Sequence, residues 1–177
     1  NNIMLTASGA NFGFLKTIPH MFGILGGMVG LFALTAGGLN LIFEQIPVLQ
    51  TILKFAGACY LLYLAWMIAT AGKMNGEIKT DSKPFTFIQA ALFQFLNPKA
   101  LIMGVTAMSA FTLTGDDYLY SALIVILVFA IVCLPSISVW VGFGVGIGRF
   151  LSNDLHRQVF NWSMGLLTAA TVILILQ

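Results

Sequence analysis

The residues best placed to do chemistry lie in one octapeptide, Phe93-Gln94-Phe95-Leu96-Asn97-Pro98-Lys99-Ala100, which sets amides, a helix breaker and a cation inside an apolar stretch. Proline removes a backbone donor and disfavours helix at the residue before it, so a helix arriving at Asn97 must stop there. Carbonyls before the break lose their partners. The helix restarting at Lys99-Ala100 presents free amides and the positive end of its dipole. A substrate carboxylate suits such a place. Lys99 is the second signal, because a charge at the centre of a bilayer costs at least ~2.5 kcal/mol on insertion scales and is by default a functional candidate. The plainer alternative is snorkelling, in which the four-carbon stem carries the ammonium to an interface. The adjacent break favours function, because non-helical backbone at that depth is tolerated only where protein or a water-filled cavity covers it. Gln94 and Asn97 are the residues to line that cavity.

The composition requires a membrane around this segment. Of 177 residues 59% are hydrophobic and only 8% are charged, against roughly a quarter in a soluble domain. Eight Lys+Arg and six Asp+Glu cannot clothe a water-facing exterior, so lipid is the natural solvent. The net charge of +2 is too small and too scattered for nucleic acid, which asks for a basic face. Cys59 and Cys133 sit in apolar stretches with no CxxC and no Cys/His cluster, which excludes a disulfide scaffold and leaves neither a metal nor a cofactor expected. No GxSxG, HExxH, Walker-type loop or Rossmann fingerprint occurs, so an enzyme is not expected. Glu77 and Asp81 are interleaved with Lys73, Lys79 and Lys83 and read as solvated linker.

The elements that must position the octapeptide follow from the charge-free stretches, judged against the ~20 residues a spanning helix needs. The expected fold is all-α, a polytopic membrane protein of six transmembrane helices. Asn1 to about Phe14 is the tail of a first span, Ile18 to Phe43 a second, and Val48 to Ala71 a third with one lysine, Lys54. Lys73 to Pro84 is the one real loop, with Asn75-Gly76 as a turn signal and Ser82 and Pro84 as helix-start residues. Phe85 to Leu113 is a fourth span broken at Asn97-Pro98, Tyr118 to Gly148 a fifth carrying Pro135, and Gln158 to Gln177 a sixth. Residues 1–177 thus form one transmembrane domain: a three-helix half at 1–71, a cytoplasmic loop at 72–84, and a second half at 85–177. The opening Asn1-Asn2, without Met and with too short an apolar stretch to cross, reads as a first span that has lost its start. No cleavable signal-peptide pattern is visible.

Orientation follows from the loops. Lys16, Lys73, Lys79, Lys83, Arg149 and Arg157 fall on one side, while Glu44, Asp116 and Asp117 fall on the other with no basic residue. Basic loops stay cytoplasmic, so both chain ends are expected to face outward. Trp66, Trp140 and Trp162 are expected near the cytoplasmic ends of their spans, where interfacial belts form. Gly23, Gly26, Gly27 and Gly30, and Gly142, Gly144, Gly146 and Gly148, are expected to let helices approach closely. In the first span Asn1 and Ser8, with Asn2 and Thr6, are placed toward the bundle interior, a pattern that by itself fits interhelical hydrogen bonds. His20, just past Pro19, is a candidate proton relay because its charge can change near neutral pH, although an interfacial histidine without duty is the commoner case. Cys59 and Cys133 suggest a rival function, a membrane thiol-redox protein using two intramembrane cysteines; buried cysteines that only pack are far commoner.

The opening Asn-Asn-Ile-Met, the Gly9-Ala10-Asn11-Phe12-Gly13 turn and Gln94-Phe95-Leu96-Asn97-Pro98-Lys99 together resemble the lysine exporter and homoserine/threonine resistance (LysE/RhtB) translocators. In that family a Pro-Gly-Pro-Asn motif breaks the first span and an Asn-Pro-Lys motif the fourth. Asn1 matches the asparagine of the first motif, whose Pro-Gly-Pro would precede it, and Asn97, Pro98 and Lys99 match the second completely. The resemblance covers essentially the whole chain. It implies a secondary transporter of the bacterial inner membrane, exporting amino acids or related small zwitterionic solutes and driven by the proton-motive force. The implied site is Asn1, Asn2, Gln94, Asn97, Pro98 and Lys99, with His20 as relay. Broken first and fourth helices in two three-span halves are what a 3+3 inverted repeat would show, with the substrate near the midplane. Lipid and an amino-acid-like solute are the expected partners, and a homo-oligomer is left open.

Overall fold

A computed structural model describes residues 1–71, 83–151 and 153–176. Those residues form helices α1 (Asn2–Phe12), α2 (Phe14–Ala36), α3 (Leu39–Gln45), α4 (Pro47–Ala69), α5 (Phe87–Leu96), α6 (Pro98–Phe111), α7 (Tyr118–Gly148) and α8 (Asp154–Leu176), with a 3-10 turn at Gly115–Asp117. The chain is an all-α polytopic membrane protein. Among the described residues α2, α4 and α7 are long and apolar enough to cross a bilayer singly, while α5 and α6 are shorter apolar pieces. At 1.5 Å per residue, the 23 residues of α2 reach roughly 34 Å. The apolar surface left outside is large: Leu119, Leu123, Leu127 and Ile131 run along one exposed face of α7, as a helix solvated by lipid requires.

The expected break in the fourth span is present. α5 stops at Leu96, Asn97 is extended, and α6 restarts with Pro98 in its first turn. Pro19 and Pro135, by contrast, lie inside continuous helices. Three boundaries differ from the sequence reading. The second span ends at Ala36 instead of Phe43, because Gly37-Gly38 follows and Gly38 takes the left-handed backbone (φ 100°) that side chains resist; residues 39–45 become the separate α3. The cap of α5 is Thr86 instead of Ser82 or Pro84, in a capping box with Gln89. α8 begins at Asp154, four residues before Gln158, because the Asn153 carboxamide oxygen accepts from the Leu155 amide at 3.0 Å and Asp154 suits the positive helix start. The loop expected at 72–84 lies outside the described residues except for Lys83 and Pro84.

Three helix pairs dominate the packing: α1 on α7, α2 on α5, and α4 on α8. Each is made by glycine. A β-carbon at Gly144 or Gly148 of α7 would run into the carbonyls of Thr6 or Ala10 on α1. One at Gly23 or Gly27 of α2 would meet the carbonyls of Phe87 or Ala91 on α5, and one at Gly165 of α8 that of Ala65 on α4. Without a hydrophobic force between helices in lipid, such close backbone contact is the main source of cohesion. Larger side chains fill the remainder: Met4, Leu61, Leu64 and Phe93 pack between α1, α4 and α5, and Met28, Phe32, Met108 and Val125 between α2, α6 and α7.

The helix ends sort into two sets. Asn11, Thr70, Lys83 and Phe85 surround one cavity, so the α1–α2 turn, the end of α4 and the start of α5 share one end of the bundle. Asn161 reaches Asn11 and Ala71 there, which adds the start of α8. Gly148 against Ala10 adds the end of α7. This is the end where Lys16, Lys83, Arg149 and Arg157 lie. At the other end the Tyr118 hydroxyl donates to the Ala36 carbonyl at 2.9 Å. Trp66 and Trp162 meet edge to face at 6.2 Å near the basic end, while Trp140 lies two turns inside the end of α7.

Candidate functional site

α1 and its N-cap Asn1 carry polar side chains at positions 1, 8 and 11, a spacing that puts them on one helical stripe, and each finds a partner on a different helix. Asn1 and Gln94 exchange reciprocal amide hydrogen bonds of 2.9 and 3.0 Å, and Gln94 also donates to the Ala90 carbonyl at 3.1 Å. Ser8 and Thr17 share a hydroxyl hydrogen bond of 3.0 Å. Asn11 and Asn161 repeat the reciprocal amide pairing at 2.6 and 3.1 Å, and Asn161 donates besides to the Ala71 carbonyl. Gln94 is 2% exposed, and Thr17 and Asn161 are fully buried. Polar groups placed this deep cost free energy unless hydrogen-bonded. Here they form a column from the basic end of the bundle to the break between α5 and α6.

Of the residues expected from sequence, the structure brings Asn1 and Gln94 into contact and sets Asn97 and Pro98, both half-buried, one turn beyond. The Asn97 carboxamide oxygen accepts from the Lys99 amide at 3.1 Å, so it caps α6 as well as bordering the break. Lys99 is exposed. Asn2 is a correction: one residue on from Asn1 is a 100° turn of helix, and its side chain faces outward, exposed. His20, the candidate relay, is fully buried. Among the described residues neither of its ring nitrogens has a hydrogen-bond partner, and its ring stands edge-on to Phe85 at 5.0 Å.

Three contributors escaped the sequence reading. Lys54 was visible there only as an unexplained intramembrane charge. In the structure it lines a cavity of about 300 Å³ with Pro98 and Thr106, so lysines flank the break on two helices. One turn along, the tight fit of Gly57 against the Leu96 carbonyl seats α4 on the break itself. Asn161 is the third; its signal was a lone carboxamide among apolar residues of the last span. Replacing Asn161 with Leu takes the donor from the Asn11 carboxamide oxygen and the Ala71 carbonyl, at about 1–3 kcal/mol for each buried group, while the Asn11 amide keeps its bond to the Ala7 carbonyl. The expected outcome is a fall in apparent melting temperature of the purified protein in detergent; an unchanged value would show the network to be wet and dispensable.

The thiols give the redox reading no support. Cys59 is exposed on α4, Cys133 is half-buried on α7 among Met21, Ile24 and Phe32 neighbours, and both are free. Among the described residues no group of three His, Cys, Asp or Glu is placed to hold a metal ion.

Comparison with known proteins agrees with this architecture. The family model described as LysE type translocator matches residues 1–176. The chain is 34% identical over 113 residues to a cysteine/O-acetylserine efflux protein of Escherichia coli O1:K1, covering 64% of this chain and 57% of the relative. The protein of the same description from E. coli O157:H7 matches equally, and that of E. coli K12 is 33% identical over the same coverage. The match therefore spans little more than half the length of these relatives. No solved structure matches the chain. With a match over nearly its whole length, the chain belongs to the LysE type translocator family of multi-pass inner-membrane proteins, translocators and not enzymes.

Proposed function

We propose that this chain exports small amino acids across the inner membrane, using the proton-motive force, with the solute recognised where Asn1 and Gln94 meet the break between α5 and α6. The observation that carries the reading is the buried polar column, which leads from the basic end to that break through an otherwise apolar bundle. In a membrane such groups mark solute or ion pathways. The pair Lys99 and Lys54 supplies cations for the carboxylate, and the restarted helix supplies its positive end. The E. coli relatives are named for cysteine and O-acetylserine, so these are the solutes to try first.

Six spans follow if α5 and α6 together make one crossing and α1 and α8 make two more. The packing supports two inverted halves, 1–71 and 85–177, joined by the cytoplasmic segment 72–84. Exchanging the first three spans for the last three maps α1 on α7 onto α5 on α2 and returns α4 on α8 to itself, and the Gly-x-x-x-Gly pairs Gly23/Gly27 and Gly144/Gly148 exchange with them. By the positive-inside rule the end holding Lys16, Lys83, Arg149 and Arg157 is cytoplasmic.

The test is efflux of cysteine and O-acetylserine from loaded cells producing the full-length protein at matched membrane levels. Asn97→Ala and Lys99→Ala are expected to reduce the rate at least tenfold, equivalent to about 1.4 kcal/mol of lost stabilisation. Wild-type rates in both variants would remove the break from the mechanism.

A further inference from the structure

We propose that Phe85 is the inner gate of a solute vestibule at the basic end of the bundle, and that a small zwitterionic solute held there bonds to His20 when the Phe85 ring swings aside. The vestibule is the cavity of about 260 Å³ walled by Ser8, Asn11, Met67, Thr70, Lys83 and Phe85. Its chemistry suits a solute carrying both charges: the Lys83 ammonium for a carboxylate, hydroxyl and carboxamide oxygens for an ammonium group.

His20 lies immediately behind the Phe85 ring. An imidazole offers one donor and one acceptor when neutral, and leaving buried polar atoms unpaired costs free energy. The hydroxyls of Ser8 and Thr17 are engaged elsewhere, because they bond each other and Thr17 donates to the Gly13 carbonyl at 2.8 Å. The site is therefore complete only with a partner that the described residues do not provide. Phe85 both stands against the His20 ring and walls the cavity. It precedes the Thr86 cap and lies outside any helix, and its ring is buried in the cluster of Met4, Ala7 and Ile68, so opening the gate means lifting the ring out of that cluster.

The position of His20 along the bundle fits a relay point. Beyond it on α2, Gly23 lies against Phe87 and Ala90, and Gly27 against Ala91 and Gln94. A solute passing Phe85 and His20 thus has two turns to travel to the Asn1 and Gln94 pair. The gate rests on the transport reading above for the identity of the solute, but not for its geometry.

The experiment measures modification of histidine by diethyl pyrocarbonate in membrane vesicles, read by peptide mapping, with the exposed His156 as internal reference. In the wild type His20 should react slowly; in Phe85→Ala its rate should rise at least tenfold while His156 stays unchanged. Phe85→Leu, a smaller perturbation, should give an intermediate rate and replaces the alanine variant if that fails to insert. Sidedness comes from His20→Cys in a Phe85→Ala, Cys59→Ser, Cys133→Ser background, which a membrane-impermeant maleimide should label from the face bearing Lys83. Fast reaction of His20 in the wild type, slow reaction in both Phe85 variants, or labelling from the opposite face would each overturn the gate. O-acetylserine should slow the reaction in Phe85→Ala. Accessibility that follows Phe85 without that protection would overturn the amino-acid assignment and leave the gate standing.

Discussion

Gly144→Ala is expected to destabilise the protein by about 1–3 kcal/mol, the usual cost of overpacking a close contact, whereas Gly142→Ala two residues away on α7 is expected to be neutral or slightly stabilising. A β-carbon at Gly144 runs into the Thr6 carbonyl of α1, and backbone cannot step aside as a side chain would. A β-carbon at Gly142 meets nothing within 4 Å, and in a helix alanine is preferred to glycine by roughly 0.5–1 kcal/mol. The check is the apparent melting temperature in detergent, where 1 kcal/mol moves a chain of this size by about 2–4 °C. Equal midpoints for the two variants would mean that α1 and α7 are not in backbone contact.

The same comparison examines the proposed repeat. On α2 the glycine equivalent in role is Gly27, whose added carbon would meet the Ala91 carbonyl at 2.7 Å, while at Gly30 it would meet only the ring tip of Phe95 at 3.2 Å. If the halves are related by inversion, α2 against α5 should respond to alanine as α7 does against α1, costly at Gly27 and mild at Gly30. Two glycine ridges with matching tolerance would then hold the two halves to each other, each half lending its second span to the other half's first.

Much of this was legible in the sequence because it is written locally. Proline acts on its own neighbours, so the break at Asn97-Pro98 could be placed to the residue, and charge-free stretches of membrane length gave the helices. Ends without charge were harder. Gly37-Gly38 closes α2 inside an apolar run that hydropathy reads straight through, and only the left-handed backbone of Gly38 reveals the stop. The site was legible on α5 and α6 and obscure elsewhere, because its other members are distant in sequence. Asn11 meets Asn161 across 150 positions, and no periodicity links them. Lys54 stood out as a charge, yet nothing in the sequence says which face of α4 meets the break. His20 stood near the start of the stretch read as the second span, but α2 begins at Phe14, six residues before it, which places His20 nearly two turns inside the helix.

Gln94→Leu is expected to reduce efflux at least tenfold and to lower stability, and the second change alone would not reveal a role in transport. The single substitution strands the Asn1 carboxamide, at about 1–3 kcal/mol for a buried group without its partner. Replacing both, Asn1→Leu with Gln94→Leu in the full-length protein, removes donor and acceptor together and puts apolar side chains where α1 meets α5. When both partners of a buried polar contact are exchanged for apolar groups of similar shape, stability can be nearly restored, and the double-mutant cycle reports the coupling between them. The two roles then separate. If the amide pair only fastens α1 to α5, the double variant should recover both its melting temperature and its efflux of cysteine. If the amides also hold the solute, the melting temperature should return while efflux stays at or below a tenth of the wild-type rate. The second result is the one expected, because Gln94 lies one turn before the break between α5 and α6, where the restarted helix presents its positive end.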